Sequence, residues 1–277
     1  MIAALIIVFR EVFEAGLIIG IVLAVTRDVP HRNRWIGGGV LAGVLAACVV
    51  AAFAGALSNL FAGMGQELFN AAILIIAVVM LTWHNVWMAR HGSELAGELR
   101  SAGQAVVEGS KSLLALAVVV GVAVLREGSE VVLFLYGVLA SGGDSSWSVA
   151  LGGFAGLLLG AVVCLLTYFG LVRIPMRALF ATTTVLIALL AAGMAAQAAA
   201  FLEKANWLTA MDTIVWDSGW LLSDSSFLGR ALHTLVGYTD QPTAMQLVVY
   251  LAILLLTFVL MRIYGPPAKA MPEPAHG

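Results

Sequence analysis

The chain has 277 residues, 61% hydrophobic and only 11% charged, with a formal net charge of -2 and a mean hydropathy of +1.01. An average globular domain is about 25% charged, so this composition excludes an ordinary soluble protein, and the slight negative charge excludes the basic field that nucleic acid requires. What remains is an all-α polytopic membrane protein: 29 glycines against 7 prolines suit close helix packing in lipid, and two cysteines make no disulfide framework.

A spanning helix needs roughly 20 mostly apolar residues, and seven stretches qualify, at about 2–26, 36–61, 67–89, 112–140, 147–171, 178–201 and 245–263. None shows the alternating ten-residue pattern of a transmembrane barrel. The first stretch lacks a basic leader and runs straight into Arg10-Glu11-Val12-Phe13-Glu14, so it reads as a mature helix rather than a signal peptide. The basic residues of the connections give the orientation. Arg27, Arg32 and Arg34 follow the first helix, Arg90, Arg100 and Lys111 the third, Arg173 and Arg177 the fifth, and Arg262 and Lys269 the seventh. All of these fall on one side. The other side holds Lys204 and Arg230 among Glu67, Asp144, Glu203, Asp212, Asp217, Asp224 and Asp240. The bias predicts an N-terminus outside and a C-terminus inside.

Residues 10–24, REVFEAGLIIGIVLA, align with 126–140, REGSEVVLFLYGVLA, through Arg10, Glu11, Glu14, Leu17, Leu23 and Ala24. Gly37-Gly38 and Gly152-Gly153 pair at nearly the same offset. Because the first helix runs inward and the fourth outward, the halves have opposite topology, as in transporters built from inverted repeats. The expected organisation is a first three-helix repeat at 1–92, a cytoplasmic loop at 93–111, a second repeat at 112–202, a periplasmic interfacial segment at 203–244, a seventh span at 245–264 and a disordered cytoplasmic tail at 265–277. Trp207, Trp216 and Trp220 anchor the interfacial segment, where short helices are expected.

Arg10, Glu11, Glu14, Arg126, Glu127 and Glu130 lie inside the first and fourth stretches. Each charge costs about 2.5–3.5 kcal/mol at a helix centre, so such residues mark function by default. In each motif the glutamates are i and i+3, and the arginine is i-4 to the second glutamate, so all three share a face. If the two helices touch, four carboxylates form a ladder across the midplane, and four acids against two guanidinium groups leave two negative charges for a cation. Carboxylate oxygen favours Mg, Ca, Mn or iron over copper(I). The plainer alternative is two buried ion-pair clamps that fix helix register, although replacing such pairs with apolar residues is often neutral or stabilising.

The motifs Arg10-Glu11-x-x-Glu14 and Arg126-Glu127-Gly128-Ser129-Glu130, in helices one and four of seven, resemble the R-E-G-x-E motifs of the high-affinity iron permease family. The segment from Trp216 to Gln246 is similar to the bacterial branch. The resemblance implies inward iron transport across a bacterial cytoplasmic membrane, with Glu11, Glu14, Glu127 and Glu130 as iron ligands and Arg10 and Arg126 as ion-pair support. Iron is then substrate, with no permanently bound cofactor and no enzymatic activity. A periplasmic iron-binding or iron-oxidising partner is implied at the outer face. The chain departs from the family pattern at Val12, where glycine is usual, and at Asn70, where relatives often carry an acid.

Glu67 could receive iron ahead of the midplane site, or simply be a carboxylate favoured at a helix N-terminus. Asp212, Asp217 and Asp224 could form a cation-concentrating vestibule or a solvated acidic loop. His84 and Trp83 could line an exit path, although a lone histidine beside aromatics is more often a packing residue; His233 reads the same way. Other hard or borderline divalent ions (Mn, Mg, Pb) are alternative cargo. Cys48 and Cys164, at matching positions, raise the alternative of a thiol-redox carrier. No nucleotide-binding signature is present.

Overall fold

The structure, a computed structural model, describes residues 1–60, 66–142, 145–170, 176–224 and 226–264. Asp144, Arg173, Lys269 and the expected tail at 265–277 lie outside the described residues. The elements are α1 (Ile2–Val25), α2 (Arg32–Leu60), α3 (Gln66–Val107), α4 (Leu113–Ala140), α5 (Ser146–Tyr168), α6 (Met176–Lys204), α7 (Phe227–Val236) and α8 (Ala244–Tyr264). Extended pairing among the described residues is limited to an antiparallel bridge between Ile214 and Thr243.

Five segments are long and apolar enough to cross a bilayer: Arg32–Ala56, Gln66–Met88, Ser146–Tyr168, Thr182–Lys204 and Ala244–Tyr264. Helices α1 and α4, with 24 and 28 residues, also have sufficient length at about 1.5 Å per residue. Composition alone separates them from the others, because each carries one of the charged motifs. The chain is a multi-pass helical membrane protein.

Segment 93–111, expected as a loop, is instead helical as far as Val107, giving α3 a length of 42 residues. Its polar residues read as a connection, but no proline interrupts Gln66–Val107, and Ala, Glu, Leu and Arg sustain a helix well. The helix ends where Gly109 adopts φ 76° and the Ser110 and Lys111 amides both donate to the Ala105 carbonyl.

Packing follows the repeat. Helix α1 lies against α5, α2 against α4, and α3 against α6, with α8 on the far side of α6. Small residues set the register. Gly39 and Gly43 of α2 abut Ala117 and Gly121 of α4, while Gly152 and Gly156 of α5 abut Met1 and Leu5 of α1. Met1 and Leu5 precede Ala117 and Gly121 by the interval that separates Arg10 from Arg126. The two contacts are therefore equivalent, and both pairs of helices run parallel. Gly39 and Gly43, rather than Gly37 and Gly38, are the counterparts of Gly152 and Gly156; Gly37 and Gly38 face open space.

Two apolar clusters bracket the charged motifs. One joins Ala3, Ala4 and Ile7 of α1 to Leu74, Ala77 and Leu81 of α3 and to Phe134 and Val138 of α4. The other joins Ile18 and Val22 of α1 to Leu99 and Val106 of α3 and to Leu116, Val120 and Val124 of α4. The start of α1 thus shares a cluster with the end of α4, and the reverse holds on the other side, so the two helices run in opposite directions. The charged motifs lie in the layer between.

Candidate metal centre

Helix periodicity places Arg10, Glu11 and Glu14 on one face of α1 and Glu127 and Glu130 on one face of α4, and all five are buried. The second glutamate of each motif is tied to the arginine one turn before it: Arg10 Nε donates to Glu14 Oε1 at 2.8 Å, and Arg126 Nε to Glu130 Oε1 at 3.2 Å. The first glutamate is held more loosely, with Glu11 Oε1 3.7 Å from Arg10 Nη1 and Glu127 Oε1 4.0 Å from Arg126 Nε.

Helix α3 supplies the group between the two motifs. His84 is buried; its Nε2 lies 3.4 Å from Glu14 Oε2, and its Nδ1 faces Glu130 Oε2. One imidazole therefore spans acids from both repeats. Ligand atoms of Glu11, His84, Glu127 and Glu130 all lie within 4.8 Å of one another. Donors about 2.1 Å from a shared ion stand at most about 4.2 Å apart, so this set is only slightly wider than a coordination shell.

The buried layer has unmet hydrogen-bonding capacity. Both oxygens of Glu11 and one oxygen each of Glu14, Glu127 and Glu130 are buried without accepting a hydrogen bond. Each such group costs on the order of 1–3 kcal/mol, more when charged, so a layer of them argues for an occupant that supplies positive charge. Next to His84, Asn85 is also buried and donates from Nδ2 to the Thr184 carbonyl at 3.4 Å, which fastens α3 to α6 at this level.

Other expected site residues lie elsewhere. Glu67 is exposed in the first turn of α3, about 25 Å along the helix from His84, where the helix dipole favours a carboxylate. Asp212 is exposed. Asp217 caps its own loop, accepting from the Gly219 amide at 2.9 Å and from Gln241 Nε2 at 3.0 Å. Asp224 and Asp240 each accept from the other's backbone amide at 3.2 Å, and burial pushes the Asp224 carboxyl above the usual carboxylate range. His233 Nδ1 lies 2.7 Å from the Tyr238 carbonyl oxygen, next to the left-handed Gly237 that ends α7. These acids and this histidine brace the outer segment and are not drawn to the buried layer.

Both cysteines are free. Cys48 is exposed, whereas Cys164 packs on Gly16. In the packing register that equates Gly43 with Gly156, Cys48 corresponds to Ala161, so the two cysteines are not counterparts after all.

Sequence reasoning passed over His84 as a partner for the acids. The available signal was an ionisable side chain inside an apolar helix, which deserves the weight given to the glutamates. Ending α3 near residue 89 made His84 look terminal, whereas it stands near the middle of Gln66–Val107.

Comparison with known proteins accords with this arrangement. The chain is 32% identical over 262 residues to the ferrous iron permease EfeU of Escherichia coli O6:H1, covering 92% of this chain and 94% of that protein. It is 31% identical over 266 residues to the ferrous iron permease EfeU of Yersinia pestis, covering 94% and 92%. The Shigella sonnei protein of the same name is 31% identical over 248 residues, covering 88% and 89%. No solved structure matches the chain. The family model for the iron permease FTR1 family matches residues 1–265, and with relatives above 30% identity aligned along almost the whole length, the chain belongs to the iron permease FTR1 family.

Proposed function

We propose that this protein carries iron inward across a bacterial cytoplasmic membrane, and that the ion rests midway on Glu11, Glu14, Glu127 and Glu130. Buried carboxylate oxygens that accept no hydrogen bond carry this reading. Arginine-pinned Glu14 and Glu130 frame the site, and loosely held Glu11 and Glu127 can turn towards an ion without breaking a short hydrogen bond. Four acids and two guanidinium groups leave two negative charges, which a divalent ion balances.

A 3+3 inverted repeat followed by a seventh span, with the N-terminus outside, places this site between the halves. The equivalent parallel contacts α1–α5 and α2–α4 and the opposed α1 and α4 support that topology. The outer segment, braced by its own aspartates and exposing Trp207 and Trp220, would meet the interface and a periplasmic iron-binding or iron-oxidising protein. Glu67 marks the outer end of α3, on the way in.

The test is uptake of labelled iron by cells lacking other iron permeases. Glu11→Gln with Glu127→Gln keeps the shape and removes both loosely held charges. Uptake should fall by at least about a hundredfold, since losing a group that merely orients a metal ligand already costs 10–100-fold. Uptake at the parental rate with normal membrane levels would overturn the site. Competition by Mn, Mg and Pb ions against labelled iron tests the cargo.

A further inference from the structure

We propose that His84 is itself a ligand to the ion in transit, and that its nitrogen makes the site prefer iron to magnesium and calcium; this deepens the reading above and rests on it. The geometry points to coordination. The ring is 3% exposed, and neither nitrogen makes a hydrogen bond of good geometry, although each is turned towards a carboxylate of a different motif. A histidine that served only to fill space would not need both nitrogens directed at acids, and one that served only as a clamp would be expected to make those hydrogen bonds.

Ligand chemistry gives the consequence. A site of carboxylate oxygens alone suits Mg, Ca and Mn, whereas imidazole suits iron and the later first-row ions. Abundant magnesium would compete at an all-oxygen site. One nitrogen donor among the four atoms that converge here lowers affinity for magnesium relative to iron without changing the charge balance of the acids. Helix α3 is suited to this task because it belongs to neither motif. Apolar layers at Leu74–Leu81 and at Leu99–Val106 fix its position on both sides of His84, and Asn85 holds it to α6.

The experiment uses the full-length protein purified in detergent and loaded anaerobically with ferrous iron. Iron-edge X-ray absorption of the parent should show the outer-shell scattering of a coordinated imidazole, and His84→Gln should lose it. Glutamine still donates a hydrogen bond to a carboxylate, so a purely clamping role would survive the substitution. In the variant the Kd for ferrous iron should rise at least about tenfold, while inhibition by magnesium stays within about twofold, so that the preference for iron over magnesium falls. A parental spectrum without imidazole, or a His84→Gln protein with unchanged spectrum and unchanged preference, would overturn the proposal. If His84→Gln fails to fold, the parental spectrum decides alone. Glu11→Gln with Glu127→Gln runs in parallel: iron binding that survives that pair refutes the glutamate site, whereas iron binding lost there but unaltered in His84→Gln refutes only the role of the histidine.

Discussion

The same charged motif occupies two different environments in the two halves. In α1, Arg10 is 2% exposed and donates to Glu14 at 2.8 Å; in α4, Arg126 is 38% exposed, donates to Glu130 at 3.2 Å and lies over the Trp87 ring, 4.5 Å from its centroid. The glycines are also exchanged. Gly128 of α4 meets Ala47 of α2, whereas at the equivalent contact Val12 of α1 meets Gly160 of α5. The bulk at Val12, which departs from the family pattern, is accommodated by a glycine on the opposite helix. Duplication therefore preserved the acids and the register while letting one arginine become sealed and the other accessible. An antiparallel pair of motifs with one closed and one open end gives a buried site an inside and an outside.

Removing the two arginines in turn gives the largest contrast. Arg10→Ala leaves Glu14 buried opposite a vacant partner, and breaking a buried pair costs about 3–5 kcal/mol. Arg126→Ala removes a half-exposed group whose cation–π contact is worth about 0.5–2 kcal/mol. Thermal unfolding in detergent should show Arg10→Ala to be clearly the less stable protein. Equal losses would mean that the two halves are electrostatically alike in solution. Reagents that attack thiols should label Arg126→Cys faster than Arg10→Cys in the same preparation.

The exchanged glycines allow a test by repair. A Cβ at Gly128 would stand 2.7 Å from the Ala47 Cβ, so Gly128→Val should destabilise by about 1–3 kcal/mol through overpacking. Adding Ala47→Gly recreates at α2–α4 the valine-on-glycine contact of α1–α5 and should recover most of the loss. If the double variant is no more stable than Gly128→Val, the two contacts are not equivalent, and the structural repeat is looser than the backbone register implies.

These elements also mark how far the sequence could be read. The acids stood out because a charge in an apolar helix is costly, and their repetition made α1 and α4 visible as related segments. The repeat offset was harder to read. Pairs of glycines align at several nearby offsets, and only the close approaches of Gly43 to Gly121 and of Gly156 to Leu5 select one of them. His84 belongs to a helix outside both motifs, so no spacing rule connects it to Glu14 or Glu130; the connection is made by packing. The long C-terminal half of α3 was obscured because surface-polar helix and loop have similar composition when no proline separates them.

The smallest expected effect concerns the cysteines, and it addresses the remaining non-transport reading. Cys164 lies in the α1–α5 contact, its Sγ 3.9 and 3.8 Å from the Val12 and Phe13 carbonyl oxygens, while Cys48 is exposed on α2. Cys164→Ala should therefore cost no more than about 1 kcal/mol as a small packing loss, and Cys48→Ala almost nothing. A thiol-redox carrier needs two sulfurs able to meet, and the packing register separates these two. The double alanine variant should take up iron at the parental rate. Loss of uptake at normal protein level would show that the sulfurs take part after all, and that the difference between the halves extends from packing to chemistry.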